Sequence, residues 1–236
     1  MFKKNVNLGK IVFTKELITI IIVFLTIHLN AQLNSEVGYT GTYFKPDLTN
    51  AIIGRYNSNP DILTEMKRLH YFGGFYLGLM YRIGIMKIGG SWEGLSAKRV
   101  GIEGNLNANY AIEKKLYFYF NTFSANLEFQ YGHFGVGGTV DQNTYKLKTI
   151  INGTTSKIPV IDESGNSSKI YLIFYLRGSD KIGLSFKPYV RVPWHSISVE
   201  KMADYLNVQQ NIAYKSEKFM QFGITIALLN GLQPEF

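Results

Sequence analysis

Five charged residues lie in alternating apolar stretches, where an isolated charge would be costly. They are Glu36, Glu93, Glu128, Lys187 and Arg191. A buried charge needs a partner, so these residues would neutralise one another if their stretches enclose a common interior. We therefore predict a polar plug. The functional alternative for the same residues is an ion path or a proton site.

A possible hydrolytic group is His195, in the segment Trp194-His195-Ser196-Ile197-Ser198. The segment invites comparison with small outer-membrane barrels that deacylate lipid A, which use a Ser two residues from a His, with a distant Glu, the hydroxyl being activated by the imidazole. Ile197 occupies that position, with Ser196 and Ser198 on either side of it. The other mature His residues have no metal-binding spacing, and the chain has no Cys. We predict no enzyme and no cofactor, with lipid hydrolysis as a minor alternative.

Residues 170–192 indicate which elements would carry the charged side chains. Two apolar-aromatic runs are joined by a short polar turn, which predicts a hairpin. In the second run Ile182, Leu184 and Phe186 alternate with polar or small residues. One face could contact lipid and the other a polar interior.

The rest of the chain repeats this unit. Strands are predicted over 36–44, 70–81, 85–97, 110–129, 134–147, 170–176, 182–192 and 219–229. A bulge near Asn121 would reconcile two apolar phases in the fourth strand. The connections alternate between long and short. The sequence thus predicts an all-β fold: an eight-stranded antiparallel transmembrane β-barrel with short periplasmic turns and four long extracellular loops.

A soluble eight-stranded barrel is the alternative. Aromatic residues crowd the presumed outer face, however, and charges such as Glu93 and Lys187 occupy the presumed inner face. A soluble ligand carrier would need the reverse arrangement. Aromatics make up 14% of the chain and charged residues only 18%. This composition also favours strands in a membrane.

The amino terminus predicts export. Lys3, Lys4, Lys10 and Lys15 precede an apolar run over 17–27, which is too short to span a membrane as a helix. We predict a cleaved signal peptide over 1–31 and one barrel domain over 32–236. Cleavage removes four Lys and one Glu, so the formal charge falls from +8 to +5. We therefore expect no nucleic-acid partner.

Two long loops contain apolar residues at helical spacing, in segments 61–69 and 198–207. Their helices could form a lid over the barrel or offer apolar faces to a protein partner. The candidate partner-binding residues are Ile62, Met66, Val199, Met202 and Leu206.

The signal ending Leu29-Asn30-Ala31-Gln32, the eight-strand pattern and the terminal Phe236 resemble those of small Bacteroidota outer-membrane β-barrel proteins, the PorT-like or outer-membrane beta-barrel domain group. The resemblance implies an integral location in the bacterial outer membrane, contact with its lipid, and a role in secretion or envelope assembly. The resulting hypothesis is a non-enzymatic accessory or scaffold subunit that binds envelope proteins through extracellular loops. The alternatives are an autonomous surface-binding or adhesion barrel and a lipid A-modifying barrel enzyme.

Overall fold

The computed structural model describes residues 33–105, 110–150, 156–178, 182–208 and 216–231. The predicted signal peptide lies outside these residues. Eight long strands form one antiparallel sheet: β1 (Leu33–Phe44), β2 (Tyr71–Ile83), β3 (Met86–Asn105), β4 (Tyr110–Tyr131), β5 (Phe134–Ile150), β6 (Lys157–Arg177), β7 (Ile182–Pro193) and β8 (Gln221–Asn230).

The sheet closes on itself. Each strand pairs with its neighbours in sequence, and β1 pairs with β8 over ten residue pairs, from Ser35 opposite Asn230 to Phe44 opposite Gln221. No long strand is left with a free edge, so the backbone groups of the ring are satisfied within the sheet. The predicted eight-stranded antiparallel barrel is confirmed.

The two ends of the barrel differ. At the end that we call the turn end, β2 joins β3 and β4 joins β5 through two-residue turns. Gly84 and Gly132 have φ of 58° and 59° there. Glycine adopts this conformation without steric cost. Both ends of the ring's chain, Leu33 and Asn230, also lie at the turn end. The opposite end carries the longer connections, and we call it the helix end.

Outward-facing side chains form a continuous apolar belt around the barrel. It includes Val37, Tyr39, Phe75, Leu77, Ile88, Phe123, Leu127, Val136, Val140, Ile170, Leu172, Val190, Phe222 and Ile224. Exposed aromatic residues border the belt on both sides: Tyr131 and Phe134 at the turn end, and Tyr43, Tyr71 and Trp194 towards the helix end.

Strands β3 to β6 extend well past the belt at the helix end. They contain 20, 22, 17 and 21 residues. A tilted strand, by contrast, needs only roughly 9–11 residues to cross a bilayer. Residues 98–105, 148–150 and 157–168, which fall in predicted long loops, are therefore strand. Lys98, Lys148 and Lys157 lie on the outer face of these extensions, whereas Thr149 and Ser167 are buried.

The predicted bulge near Asn121 is wrong. β4 pairs with both neighbours without a register shift, and its even-numbered residues face inwards from Leu116 to Gln130. The apolar side chains of β4 lie on its outer face at the belt and on its inner face beyond the belt, because the surroundings of the strand differ at the two levels. At the belt the outer face is apolar, whereas beyond the belt the inner face is apolar and contributes Leu116, Phe118 and Phe120 to a buried core.

A bulge does occur in the β5–β6 pairing. Leu147 pairs with Ile161 and Lys148 with Pro159, which leaves Val160 as the extra residue. Side-chain direction inverts at this point. Ile161 is buried, while Lys157, at the end of the same strand, is exposed on the outer face.

The connection between β1 and β2 differs from its prediction. The predicted helix over 61–69 is wrong: the helix is α1 (Asp47–Asn57), and Ile62–Thr64 forms a short strand beside β3. Asn57 on α1 binds both backbone groups of Met66 at 2.9 Å, and Asn50 binds those of Leu69 in the same way. These amides hold the following segment extended, which prevents a helix there.

The second helix, α2 (Glu200–Tyr205), lies within the predicted segment 198–207. Ile197–Ser198 and Ser216–Glu217 pair beside it as a short two-stranded sheet. No helix in the described part of the chain is long and apolar enough to cross a membrane.

Glu217 fixes the start of α1 from a distant part of the chain. Its carboxylate accepts hydrogen bonds from the backbone N–H groups of Leu48 and Thr49 at 2.7 and 3.1 Å, and from the Thr49 hydroxyl at 2.9 Å. Pro46, at the N-cap, has no side-chain cap of its own. Burial raises the pKa of Glu217, while the three hydrogen bonds act in the opposite direction.

We predict that Glu217→Ala loosens α1 because the first N–H groups of the helix lose their acceptor, at a cost of about 1–2 kcal/mol. Amide hydrogen exchange of residues 47–57 should accelerate about 5- to 30-fold, while exchange in β1 stays unchanged. Glu65→Ala, at an exposed position in the same connection, is the control and should leave α1 exchange unchanged. Unchanged exchange in Glu217→Ala would contradict this role.

Candidate functional site

The interior of the barrel at belt level contains two charged clusters, one above the other. The lower cluster, nearer the turn end, is centred on Lys187. Its ammonium lies 2.7 Å from both Glu36 Oε2 and Glu128 Oε1. The hydroxyls of Tyr76 and Tyr171 donate to the same two carboxylates at 2.8 and 2.9 Å.

The upper cluster is centred on Arg191, whose three donor nitrogens are all used. Nη2 donates to Glu93 Oε2 at 2.5 Å, Nε to Asp141 Oδ2 at 2.8 Å and Nη1 to Gln221 Oε1 at 2.9 Å. Lys169 Nζ approaches Glu93 Oε1 at 3.9 Å. A planar guanidinium suits this task because its fixed donors can bind several acceptors at once.

A layer of tyrosines separates the two clusters. The Lys169 ammonium lies 5.2, 5.7 and 5.9 Å from the ring centroids of Tyr189, Tyr171 and Tyr76. Cation–π attraction at such distances helps to hold the ammonium in place. The cavity beside Lys169 and Lys187 has a volume of about 10 Å³. That volume is at the lower limit for one water molecule.

The buried charges balance. Among the described residues, the buried acids are Glu36, Glu93, Glu128 and Asp141, and the buried bases are Lys87, Lys169, Lys187 and Arg191. Equal numbers at contact distance make the interior electrically neutral overall. The cavity between the clusters leaves no room for a hydrated ion, so the arrangement favours sealing over conduction.

All five residues predicted for the plug point into the barrel, and the structure joins them through Lys187 and Arg191. Sequence reasoning did not include Lys87, Asp141 and Lys169 in this set. Lys87 and Asp141 share the inward parity of their strands, a signal that could have identified them. Lys169 was missed because the sixth strand was predicted to begin at Ile170.

Above the charged clusters, the helix end is filled by a buried apolar cluster that we call the apolar cap. It includes Phe44, Ile52, Ile53, Leu69, Phe72, Leu95, Leu116, Phe118, Phe120, Tyr145, Leu147, Ile161 and Phe219. The rings of Phe44 and Phe72 are 4.4 Å apart, and those of Tyr145 and Phe219 are 5.1 Å apart. Helices α1 and α2 cover this cluster.

The five candidate partner-binding residues face this cap. Met66, Val199, Met202 and Leu206 are buried in it, and Ile62 packs against it half-buried. In this conformation they form a lid and offer no free apolar face. Their burial favours the lid over the docking face, and the partner-binding role of these residues stays a prediction.

His195 is exposed beside a narrow crevice that also involves Glu163 and Ser196. The crevice has about 30 Å³ of free space. This is enough for a few water molecules only. Among the described residues, no group of three or more His, Cys, Asp and Glu side chains is placed to hold a metal ion.

No protein-family model matches the chain, and no curated protein matches it. Solved structures similar to this chain include Ail, the attachment invasion locus protein of Yersinia pestis, with 10% identity over 85% of this chain and 98% of that chain and a TM-score of 0.48. Neisserial surface protein A is 8% identical over 85% of this chain and 97% of that chain, with a TM-score of 0.45. The translocator domain of autotransporter NalP from Neisseria meningitidis is 8% identical over 94% of this chain and 97% of that chain, with a TM-score of 0.40. The resemblance to the PorT-like group stays a prediction.

We predict that Arg191→Met destabilises the folded barrel by about 3–5 kcal/mol, because it leaves Glu93 and Asp141 buried with only Lys169 nearby. Unfolding of the detergent-folded protein in urea, followed by tryptophan fluorescence, measures the change.

The double variant Arg191→Met with Glu93→Gln should be more stable than the single variant, since one unpaired charge is removed. Lys146→Met breaks an exposed pair with Asp162. It should cost less than about 1 kcal/mol. Equal losses in Arg191→Met and Lys146→Met would show that the buried network contributes nothing particular to stability.

Proposed function

We propose that this protein is an integral outer-membrane barrel that forms neither a pore nor an active site. In this proposal it acts as a rigid scaffold. The parts of β3 to β6 beyond the belt, together with the apolar cap, form a head that binds a protein partner of the cell envelope.

The apolar belt supports the membrane location. Large apolar side chains are exposed on every strand, and aromatic residues border them on both sides. In water such a surface would be a severe aggregation hazard, whereas in a bilayer it faces lipid and its aromatic borders lie at the interfaces. The turn end would then face the periplasm and the helix end the cell exterior.

The interior supports a role without transport. Eight strands leave a lumen that side chains can fill. Here two charged clusters and the apolar cap fill it in succession. A transported solute would have to displace ion pairs that are already hydrogen-bonded and then pass a dry aromatic cluster.

The head is the observation that carries the proposal. Strands β3 and β4 are about twice as long as a membrane crossing requires, and they enclose a second, apolar core above the charged one. Eight-stranded barrels can close with short loops, so the added structure has to serve something outside the bilayer. A rigid head is suited to binding, since little conformational entropy is lost when it docks.

Three large apolar side chains are exposed where β3 and β4 end and lipid cannot cover them. They are Leu63, Tyr110 and Ile112, with exposed fractions of 39, 49 and 36%. They lie at a similar level on the two strands that flank β3: Ile62, next to Leu63, and Ile112 both pair with Glu103, and Tyr110 pairs with Asn105. We propose this hairpin end as the partner contact, in place of the buried residues named from the sequence.

A role as an accessory subunit of an envelope complex is supported by the resemblance to the PorT-like group. An autonomous surface-binding barrel would use the same head. The enzyme alternative has less support, because the crevice beside His195 is too small for a lipid headgroup and Ile197 stands where a Ser would be needed.

We expect the purified protein to give no conductance above the lipid background in planar bilayers, because the lumen is filled and charge-balanced. The control is Lys187→Met, which removes the central cation. Ion-selective conductance in the unmodified protein that is lost in Lys187→Met would establish an ion path and contradict the sealed barrel.

We expect the tagged protein, extracted from its native membrane in mild detergent, to retain a stoichiometric envelope protein. Tyr110→Asp with Ile112→Asp should reduce its recovery at least about tenfold, because two charges would enter an apolar contact. Ile158→Asp, at the exposed end of the β5–β6 hairpin, is the control and should retain it. Elution as a lone barrel would contradict the scaffold role and favour the autonomous alternative.

A further inference from the structure

The outer face of β3 to β6, just beyond the belt, carries a basic patch that the scaffold role does not use. We call it the lysine–tyrosine patch: Lys98, Lys115, Tyr117, Tyr119, Lys146, Lys148 and Lys157. Lys157 Nζ lies 4.2 Å from the Tyr117 ring centroid and donates to the Tyr119 hydroxyl at 2.7 Å. Lys98 and Lys148 approach the Tyr117 and Tyr119 rings at 5.6 and 5.7 Å.

The lysines of the patch differ in whether they have a countercharge. Lys115 pairs with Glu113, and Lys146 pairs with Asp162. Within the described part of the chain, Lys98, Lys148 and Lys157 have no carboxylate at salt-bridge distance. The adjacent segments 106–109 and 151–155 contain no Asp or Glu. Three neighbouring ammonium groups held on aromatic rings form a site for a multiply charged anion.

Directly below the patch, the same strands carry a furrow in the belt. Gly90, Ala125 and Gly138 occupy outward positions on adjacent strands, with Gly90 opposite Ala125 and Gly138 opposite Leu127. Two adjoining grooves of about 660 and 640 Å³ meet at Ala125 and Val140. Their exposed lining is mostly apolar, with Gln142 and Asn166 among the lining residues, so the furrow can accept a hydrocarbon chain.

The furrow is not a by-product of tight backbone packing. A Cβ atom added to Gly90 or to Gly138 would meet a single neighbour at 3.6 Å, an ordinary van der Waals contact. Neither glycine has the positive φ that would exclude other residues. Larger side chains would therefore fit at both positions, and they would fill the furrow.

The level between furrow and patch is polar and uncharged. Asn121 and Thr144 lie opposite each other on the outer face between Phe123 and Tyr119, and Gln142 lies beside Phe123. Phe123 and Tyr119 are separated by four positions on β4, roughly 13 Å along the strand. This spacing fits a sugar with hydroxyl and amide groups, placed between an acyl chain below and phosphate groups above.

We propose that this face binds a phosphorylated glycolipid of the outer leaflet. An acyl chain occupies the furrow, the sugar contacts Asn121 and Gln142, and a phosphate contacts Lys98, Lys148 and Lys157. The inference rests on the proposed membrane location but is independent of the protein partner.

The test uses the full mature chain, folded in neutral detergent, and diphosphoryl lipid A as the probe. Native mass spectrometry measures the bound lipid in competition with phosphatidylcholine. We expect at least about tenfold tighter binding of diphosphoryl lipid A than of the same lipid with its phosphates removed, and a smaller difference at high salt.

Two variants separate the headgroup from the chain. Lys98→Gln, Lys148→Gln and Lys157→Gln together should abolish the preference for phosphate. Its control is Lys45→Gln, Lys67→Gln and Lys201→Gln, an equal charge change at exposed sites elsewhere.

Gly138→Leu should weaken the binding of both forms of the lipid about equally, because the larger side chain fills the furrow. Its control is Gly41→Leu, at another open glycine.

The outcomes are distinct. Equal binding of the phosphorylated and dephosphorylated lipids, or an unchanged preference in the triple variant, would overturn the site. Binding of glucosamine phosphate at the same affinity would overturn the role of the furrow. If the protein does not insert into liposomes at all, the proposed membrane location itself fails, and that is measured separately by flotation.

Discussion

Charge neutralisation inside a narrow closed barrel is the constraint on which the rest of the structure depends. The ring satisfies its own backbone, but its lumen is too small to hydrate the charges that face into it. Lys187 and Arg191, both on β7, bind carboxylates supplied by β1, β3, β4 and β5. The polar interior therefore couples strands that are distant around the ring, and it fixes their relative positions more strongly than neighbouring pairing alone.

The barrel has two levels along its axis, and the polar and apolar faces of its wall are exchanged between them. At belt level the outer face is apolar and the lumen charged, whereas beyond it the lumen is apolar and the outer face carries lysines. β4 shows the change along one strand: Glu128 and Phe118 both face inwards, and Leu127 and Tyr117 both face outwards. In the proposed membrane location, lipid surrounds the belt and water surrounds the strand extensions, which accounts for the change. The same boundary positions the furrow below the lysine–tyrosine patch.

Alternation along single strands made most of the barrel predictable, since an inward Glu36 beside an outward Val37 shows which face is which. The errors arose where that rule assumes one environment. The Asn-Gly and Ser-Gly-Asn turn signals in residues 148–168 predict a loop, although most of the described part is strand. The two apolar phases of β4 predict a bulge, although both faces belong to one regular strand.

The two helices show a different limit of sequence reasoning. Helix α1 contains Thr49, Asn50 and Gly54, which are poor helix formers. It is fixed by Glu217, 169 residues beyond Leu48 in the chain. No local pattern can report a contact of that range. In the other loop Met202 showed the right spacing, but spacing alone does not tell a lid from a docking face.

The extra residue at Val160 sets the sign of the surface charge at the end of β6. Successive side chains of a strand point to opposite faces. Inserting or deleting two residues beyond the bulge therefore keeps every side chain on its face, whereas a change of one residue moves them to the other face. An odd change would turn Lys157 towards Leu147 and Ile161 and bring an apolar neighbour out in its place. The charge on the outer face of the head thus depends on the number of residues in this hairpin as well as on their types.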